Sequence, residues 1–450
     1  MDRTAELIRQ DIAHLWHPFT QMKIWPDEPP LIIERGEGNW LIDSTGRRYF
    51  DGVSSLWVTV HGHNHPHIND AIREQLDQLD HSTLLGLSHP KAVELAAELA
   101  RICPGGLNHA FYSESGSTAV EIALKIAYQY WQQIGRPEKK TFAALGNAYH
   151  GDTIGAVSVG GIELFHQVYG PLLFPVHRLP QPFCRKCPLG LTHPECDLAC
   201  AQALEPLLAE HGGEICGLVA EPRVQGAAGM VIQPEGYLKR LWDICRQHDV
   251  LFIADEVATG FGRTGELFAC ELEGIEPDLM ALGKGITGGV LPLAATMANE
   301  RVYDGFLGEY DEFKTFFHGH TYTGNPLACA AALANLALMQ ETGLVASLQP
   351  KIELLAKGLA RIAELPHVIQ VRQQGMMVGI ELCQDKATDT PYPVEARMGH
   401  KAIMAARKYD VIVRPLGDTV ILMPPLASSP EELKLLLDAV RQGIQDVTEN

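Results

Sequence analysis

Between Val250 and Gly289 two short apolar runs each deliver a charged side chain, and few folds accommodate that pattern. The first run, V-L-F-I-A-D-E-V, is too short for a helix and is broken by an acid at Asp255. Such a run reads as a strand buried on both faces of a parallel sheet. An acid at its end is costly unless a cation meets it. A Gly-rich turn, A-T-G-F-G-R-T-G, leads to a second run, D-L-M-A-L, which delivers Gly283-Lys284-Gly285. Flanked by glycines, that lysine is sterically open, and a desolvated amine loses its proton readily enough to act as a nucleophile. An acid and a lysine at two nearby strand ends suit pyridoxal phosphate. Lys284 would form the Schiff base, and Asp255 would keep the pyridine nitrogen protonated so that the ring acts as an electron sink. A salt-bridged pair at a sheet edge is the plainer alternative.

Other segments repeat the theme. H-A-F-Y-S-E reads as a strand, S-G-S-T as a turn, and A-V-E-I-A-L-K-I-A-Y-Q-Y-W as an amphipathic helix. Free N–H groups and the helix dipole make such a junction an anion site, so Gly116, Ser117 and Thr118 are candidates to cradle a phosphate. Ordinary N-capping by Ser or Thr is the alternative. No G-x-x-x-x-G-K-[ST] segment occurs, which argues against a nucleoside triphosphate as the guest. T-F-A-A-L is the next strand, ending in G-N-A-Y-H-G-D-T, where Tyr149 is placed to stack on a planar ring. G-L-V-A-E-P (217–222), a helix at 235–247 and the V-L-F-I-A-D-E-V strand continue the alternation. Repeated strand–helix units predict a mostly parallel, doubly wound sheet with its ligand at the strand C-terminal ends. All of these candidates fall there.

Residues 1–65 read as an N-terminal helix (4–16, with Thr4 as N-cap) followed by a β-meander. Residues 66–342 read as the large domain, and 343–450 as an α+β unit. The stretch S-S-L-W-V-T-V-H-G-H-N-H-P carries histidines at 61, 63, 65 and 67. Gly62, Asn64 and Pro66 separate them and no carboxylate is well placed, so solvent-facing or substrate-rim histidines are expected rather than a metal site. In a Pro/Gly-rich insert, 181–201, Cys184, Cys187, Cys196 and Cys200 show a C-x2-C, C-x3-C spacing close to that of a tetrahedral zinc site. Local disulfides and four unliganded thiols are the alternatives. No metal is assigned to the chemistry, because a closed four-thiolate site leaves no open position.

At 450 residues and 46% apolar composition the chain can bury a large core in two or three folded units. A net charge of −19 argues against nucleic acid and anionic membranes as partners. The opening M-D-R-T-A-E-L-I-R-Q-D lacks an apolar core of signal-peptide length, and no run of about 18 apolar residues occurs. A cytoplasmic enzyme with reduced thiols is expected.

Taken together, S-E-S-G-S-T-A-V-E-I-A-L-K, G-N-A-Y-H-G-D-T, I-A-D-E-V-A-T-G-F-G-R-T-G-E-L-F-A-C-E, L-G-K-G-I-T-G-G and H-G-H-T-Y-T-G-N-P-L-A-C-A-A resemble the class III aminotransferases. These are fold-type I pyridoxal phosphate enzymes, and the resemblance covers nearly the whole chain. It implies an α/β fold: a large domain with a mostly parallel sheet, and a smaller α+β domain built from the N- and C-terminal segments. H-P-F-T-Q-M, D-G-V-S-S-L-W-V-T-V-H-G-H-N-H-P and R-P-L-G-D are similar to the biotin-pathway branch, which aminates 8-amino-7-oxononanoate to 7,8-diaminononanoate. A class III enzyme for an ω-amino acid or a diamine is the alternative.

By this resemblance Lys284 is the Schiff-base lysine and proton shuttle, and Asp255 the partner of the pyridinium nitrogen. Gly116 and Ser117 hold the phosphate, and Tyr149 stacks on the ring and lines the pocket. Thr321, with His320 in H-G-H-T, reaches the phosphate of the neighbouring subunit, and Gly319 of the same motif lines the substrate pocket, which implies a homodimer with shared active sites. Arg414 binds the distant carboxylate of the oxo-acid acceptor, a task suited to a bidentate guanidinium. Arg263 positions substrate or amino donor, or forms a structural salt bridge. Members using S-adenosylmethionine usually carry Tyr at the position of Phe19 and Trp at that of Leu56. Their loss removes a polar handle and the best face for a sulfonium. The resemblance therefore leans to lysine as donor, with S-adenosylmethionine, the family's commoner donor, as the alternative and Trp57 as a remaining aromatic wall.

Overall fold

The computed structural model describes residues 2–28 and 30–449, and its largest sheet has seven strands. In spatial order these are His109–Ser113, Ala294–Ala298, Leu279–Leu282, Leu251–Asp255, Ile215–Ala220, Thr141–Leu145 and Val176–Leu179. Ala294–Ala298 is antiparallel to both its neighbours, and the other strands share one direction. Its run A-A-T-M-A holds one large apolar side chain, Met297, so the sequence carries little strand signal there.

The central strands are buried on both faces because successive side chains feed opposite cores. Phe252 and Ala254 pack in a cluster with Leu95, Leu99 and Leu241. Leu251 and Ile253 point the other way, into a cluster with Ala123, Ile126 and Trp131 of the helix Gly116–Gln133. Two apolar faces erase the alternation of a half-exposed strand, which is why V-L-F-I-A reads as an unbroken run. Each large side chain so buried contributes roughly 1.5–3 kcal/mol.

Strands Ile33–Glu37, Trp40–Asp43 and Arg48–Asp51 form an antiparallel meander, and Val411–Ile412 joins it in parallel beside Arg48–Asp51. N- and C-terminal segments therefore share one sheet. A further antiparallel sheet has the order Val368–Gln374, Met377–Leu382, Thr419–Leu422, Arg414–Leu416. Helices Leu348–Ala363 and Met398–Ala406 pack against it. Among the described residues no helix is long and apolar enough to cross a membrane.

Two local expectations are corrected. Asp2, not Thr4, caps the first helix, accepting from Thr4 N at 3.1 Å, while Thr4 Oγ1 donates to Ser44 Oγ at 2.9 Å. A carboxylate ahead of the first turn outcompetes the hydroxyl. The histidines after Trp57 are not simply solvent-facing: His61 is 9% exposed, with Nε2 3.4 Å from Asn335 O, and burial lowers its pKa to about 4. His63 Nε2 pairs with the buried Asp51 at 2.9 Å.

Candidate active site

Five strand ends of the large sheet converge on one edge, and each delivers a residue with chemistry. Strand Leu251–Asp255 ends in Asp255, and Lys284 stands two residues beyond Leu279–Leu282. Ile215–Ala220 is followed by Glu221, Thr141–Leu145 leads to Tyr149 and His150, and His109–Ser113 leads to Gly116. Lys284 has a left-handed φ of 44°, and its loop is pinned from behind by Asn335. The Asn335 amide donates to Gly285 O and Ile286 O, both at 3.0 Å. Nζ of Lys284 lies 5.2 Å from the Trp57 ring centroid and has no hydrogen bond or ion pair among the described residues. Burial lowers its pKa; the charges of Asp255 and Glu221 oppose that shift, and Arg263 adds to it.

Asp255 is oriented on two sides. His150 Nδ1 donates to its Oδ2 at 2.7 Å, and Val257 N donates to its Oδ1 at 3.1 Å. His150 Nε2 is buried without a partner. Glu221 accepts from Tyr149 N at 3.1 Å and Gly226 N at 2.9 Å, so it fixes the backbone that carries Tyr149. Neither His150 nor Glu221 stands out from the sequence as a site residue. Glu221 nonetheless follows a buried strand much as Asp255 ends one, and His150 stands inside the Y-H-G-D motif, so a signal is present at both.

Burial raises Glu221 from 4.5 to about 7. The folded chain therefore binds this proton more tightly than the unfolded chain. Stability falls as pH rises between those two values, and the penalty stays constant above them, at about 3 kcal/mol in full. Glu221→Gln should flatten this slope. Denaturant titrations of the cofactor-free chain between about pH 5 and about pH 8 measure it, and an unchanged slope would count against the shift.

At the head of helix Gly116–Gln133, Ser115 accepts from Thr118 N at 3.3 Å, and Thr118 Oγ1 accepts from Ser115 N at 3.1 Å. Thr118 is thus occupied by capping rather than free to cradle a phosphate. The first-turn amides of Gly116 and Ser117 have no partner inside the helix. Ser117 Oγ accepts from Thr153 N at 3.0 Å, tying this turn to the Tyr149 loop. A Cβ on Gly116 would collide with Val257 Cγ1, and one on Gly283 would sit 3.3 Å from Gly116 Cα. Only glycines let the acid loop, the lysine loop and the helix head approach so closely.

The remaining candidates are more dispersed. Trp57 is 9% exposed and faces Lys284, at the end of a turn in which Ser54, Ser55 and Trp57 all have positive φ. Leu56 is exposed. Phe19 is exposed at the rim, edge-on to Phe165 at 5.4 Å, and Phe165 lies 6.4 Å from Tyr149. Tyr149 Oη donates to Asp152 at 2.7 Å. Arg263 is 2% exposed, and its guanidinium donates to Pro424 O at 2.7 Å and Thr59 O at 2.8 Å rather than to a carboxylate. Burial lowers it to about 9. Arg414 starts an outer strand and has no side-chain hydrogen bond or ion pair among the described residues; Arg407 is a charged neighbour. Gly319, His320 and Thr321 lie on a segment without regular structure. His320 donates to Glu114 at 2.6 Å, while Gly319 and Thr321 are exposed.

Pyridoxal phosphate fits these groups. An unpaired amine, an oriented carboxylate backed by a half-satisfied buried histidine, and an open helix head bracketed by glycines answer its aldehyde, ring nitrogen and phosphate.

A profile of the family Aminotransferase class-III matches residues 22–444. The adenosylmethionine-8-amino-7-oxononanoate aminotransferase of Nitratidesulfovibrio vulgaris is 56% identical, covering 100% of this chain and 83% of that protein. Its namesake in Geobacter sulfurreducens is 54% identical, covering 99% and 98%. The crystal structure of the Methanocaldococcus jannaschii namesake superposes with a TM-score of 0.94 at 43% identity, covering 98% of this chain and 99% of that one. An (S)-enantioselective omega-transaminase from Thermomicrobium roseum also gives 0.94, at 36% identity and 98% coverage of each. With the profile spanning most of its length, and lysine, acid and helix head gathered at one sheet edge, the chain belongs to the class III aminotransferases.

Proposed function

We propose that this chain aminates 8-amino-7-oxononanoate to 7,8-diaminononanoate, a step of biotin synthesis, as a cytoplasmic homodimer. The observation that carries the acceptor is Arg414, a guanidinium without a carboxylate partner among the described residues, in a chain alike end to end to proteins named for that acceptor. A fatty-acid-like substrate with a far carboxylate needs such a group; a plain diamine does not.

Class III aminotransferases work with pyridoxal phosphate, which supplies an aldehyde that takes up amines and a ring that accepts electrons from the neighbouring carbon. Asp255 would hold the ring nitrogen protonated, with His150 keeping the carboxylate in place. Gly116 and Ser117 N–H groups would receive the phosphate. Tyr149 would stack on the ring while Glu221 fixes its backbone. Lys284 Nζ would anchor the cofactor at rest and carry the proton between substrate carbon and cofactor during transfer. The exposed segment with Gly319, His320 and Thr321 would complete the partner's phosphate site.

S-adenosylmethionine is the donor we propose, since it is the donor named in the relatives and Trp57 offers a sulfonium an aromatic face beside Lys284. Lysine is the second reading, favoured by Phe19 and Leu56. The holoenzyme, mixed with each donor separately and no acceptor, tests this through loss of the bound cofactor's aldehyde-form absorbance. Conversion by S-adenosylmethionine, followed by amination of 8-amino-7-oxononanoate detected by mass, is expected. Conversion by lysine alone overturns the donor, and failure to aminate the oxo-acid overturns the acceptor.

A further inference from the structure

The reaction makes no use of the insert that carries four cysteines. Cys184, Cys187, Cys196 and Cys200 all line one small cavity of about 10 Å³, room for a single water-sized sphere. Phe183, Leu189, Leu191 and Leu198 make up much of the remaining wall, which gives a water few partners. All four thiols are free. Cys184 neighbours Cys187 and Cys196, and Cys200 neighbours Cys184 and Cys196, so the four sulfurs are grouped about one space. A space of one atom's size, ringed by four soft donor atoms, suits a soft cation.

The insert also has a mechanical position. Arg185, between the first two cysteines, bonds both carboxylate oxygens of Asp389 at 2.8 Å and also pairs with Glu381, so this limb is docked on the antiparallel C-terminal sheet. Cys200 lies in the helical turn Ala199–Gln202, which packs on the helix Tyr237–Gln247 of the large domain. Whatever joins the two cysteine pairs therefore joins those two docking points.

We propose that Cys184, Cys187, Cys196 and Cys200 bind one soft divalent ion, Zn²⁺, in a closed structural site that fixes the insert between the large domain and the C-terminal sheet. Among the described residues no such group is already drawn in to metal-binding distances. Binding requires the four thiol side chains to turn into the cavity they share. Four S–H groups release their protons to solvent as four Zn–S bonds form, and no oxidant takes part. Thiolate ligands at C-x2-C and C-x3-C spacing favour zinc over the oxygen-seeking Mg²⁺ or Ca²⁺.

Elemental analysis of the untagged, full-length holoenzyme tests the site directly. About one zinc per chain is expected, with sulfur-to-metal charge-transfer bands when Co²⁺ replaces it. Cys187→Ser combined with Cys196→Ser should reduce the zinc content to less than about one-tenth and open residues 181–201 to proteolysis. Zinc-free native protein overturns the proposal, whether the four thiols titrate freely or mass analysis finds them paired as disulfides. The zinc content of the parent chain decides between these outcomes even if the double variant does not fold.

Discussion

Lys284→Ala is expected to slow amino transfer by about 10⁵-fold or more while the chain folds as before. The loss follows from the site's composition. Anchoring an aldehyde and taking a proton from the substrate carbon both need a neutral amine, and burial helps Lys284 shed its charge. No neighbour can replace it: Asp255 and Glu221 are acids, and the Arg263 guanidinium is bound to Thr59 O and Pro424 O. Folding survives for equally local reasons. Nζ makes no hydrogen bond among the described residues, so none is broken. Alanine bears a Cβ as lysine does, so the left-handed φ of 44° is no more strained than before. Removing a buried amine that makes no polar contact leaves no partner unsatisfied. Thermal melting should therefore stay within about 1 kcal/mol of the parent. Full turnover by a variant whose sequence has been verified by mass would remove Lys284 from the mechanism.

Most of the fold was legible because its central strands are buried twice over. V-L-F-I-A and G-L-V-A stand out as continuous apolar runs only because both sheet faces are covered, and that coverage also places their C-terminal ends at the ligand. Ala294–Ala298 is hidden because alanine and threonine fit between large neighbours without an apolar signature of their own. The site divides in the same way. Lys284, Asp255, Gly116 and Tyr149 follow strands and can be read one by one. His150 and Glu221 act on other site residues, through a 2.7 Å bond to Asp255 and a 3.1 Å bond to Tyr149 N; their places after a strand and within a motif are visible in the sequence, but these long-range partners are not. Arg263 can be located in the sequence but not understood there: its partners are carbonyls of Thr59 and Pro424, and backbone acceptors are invisible to residue-type reasoning.

Asp255→Asn isolates the acid at the centre of that network, and we expect it to keep the cofactor while losing most of the rate. Asparagine has the same shape, and its Oδ1 can still accept from Val257 N, now 3.1 Å from Asp255 Oδ1. Its amide cannot accept from His150 Nδ1, which donates to Oδ2 at 2.7 Å in the parent, so the histidine must move its proton to Nε2. More important, an amide carries no charge to hold a ring nitrogen protonated. Losing one member of a buried, hydrogen-bonded ion pair costs about 3–5 kcal/mol. If that cost falls on the transition state, kcat drops on the order of 10² to 10⁴-fold. Cofactor retention should persist, because Lys284 and the head of Gly116–Gln133 are untouched. The measurement is kcat at saturating donor alongside cofactor content after exhaustive dialysis. An unchanged kcat would show that the ring nitrogen needs no charge from this residue. A kcat that falls only in proportion to lost cofactor would make Asp255 a binding group, and the electron-sink assignment would fall with it.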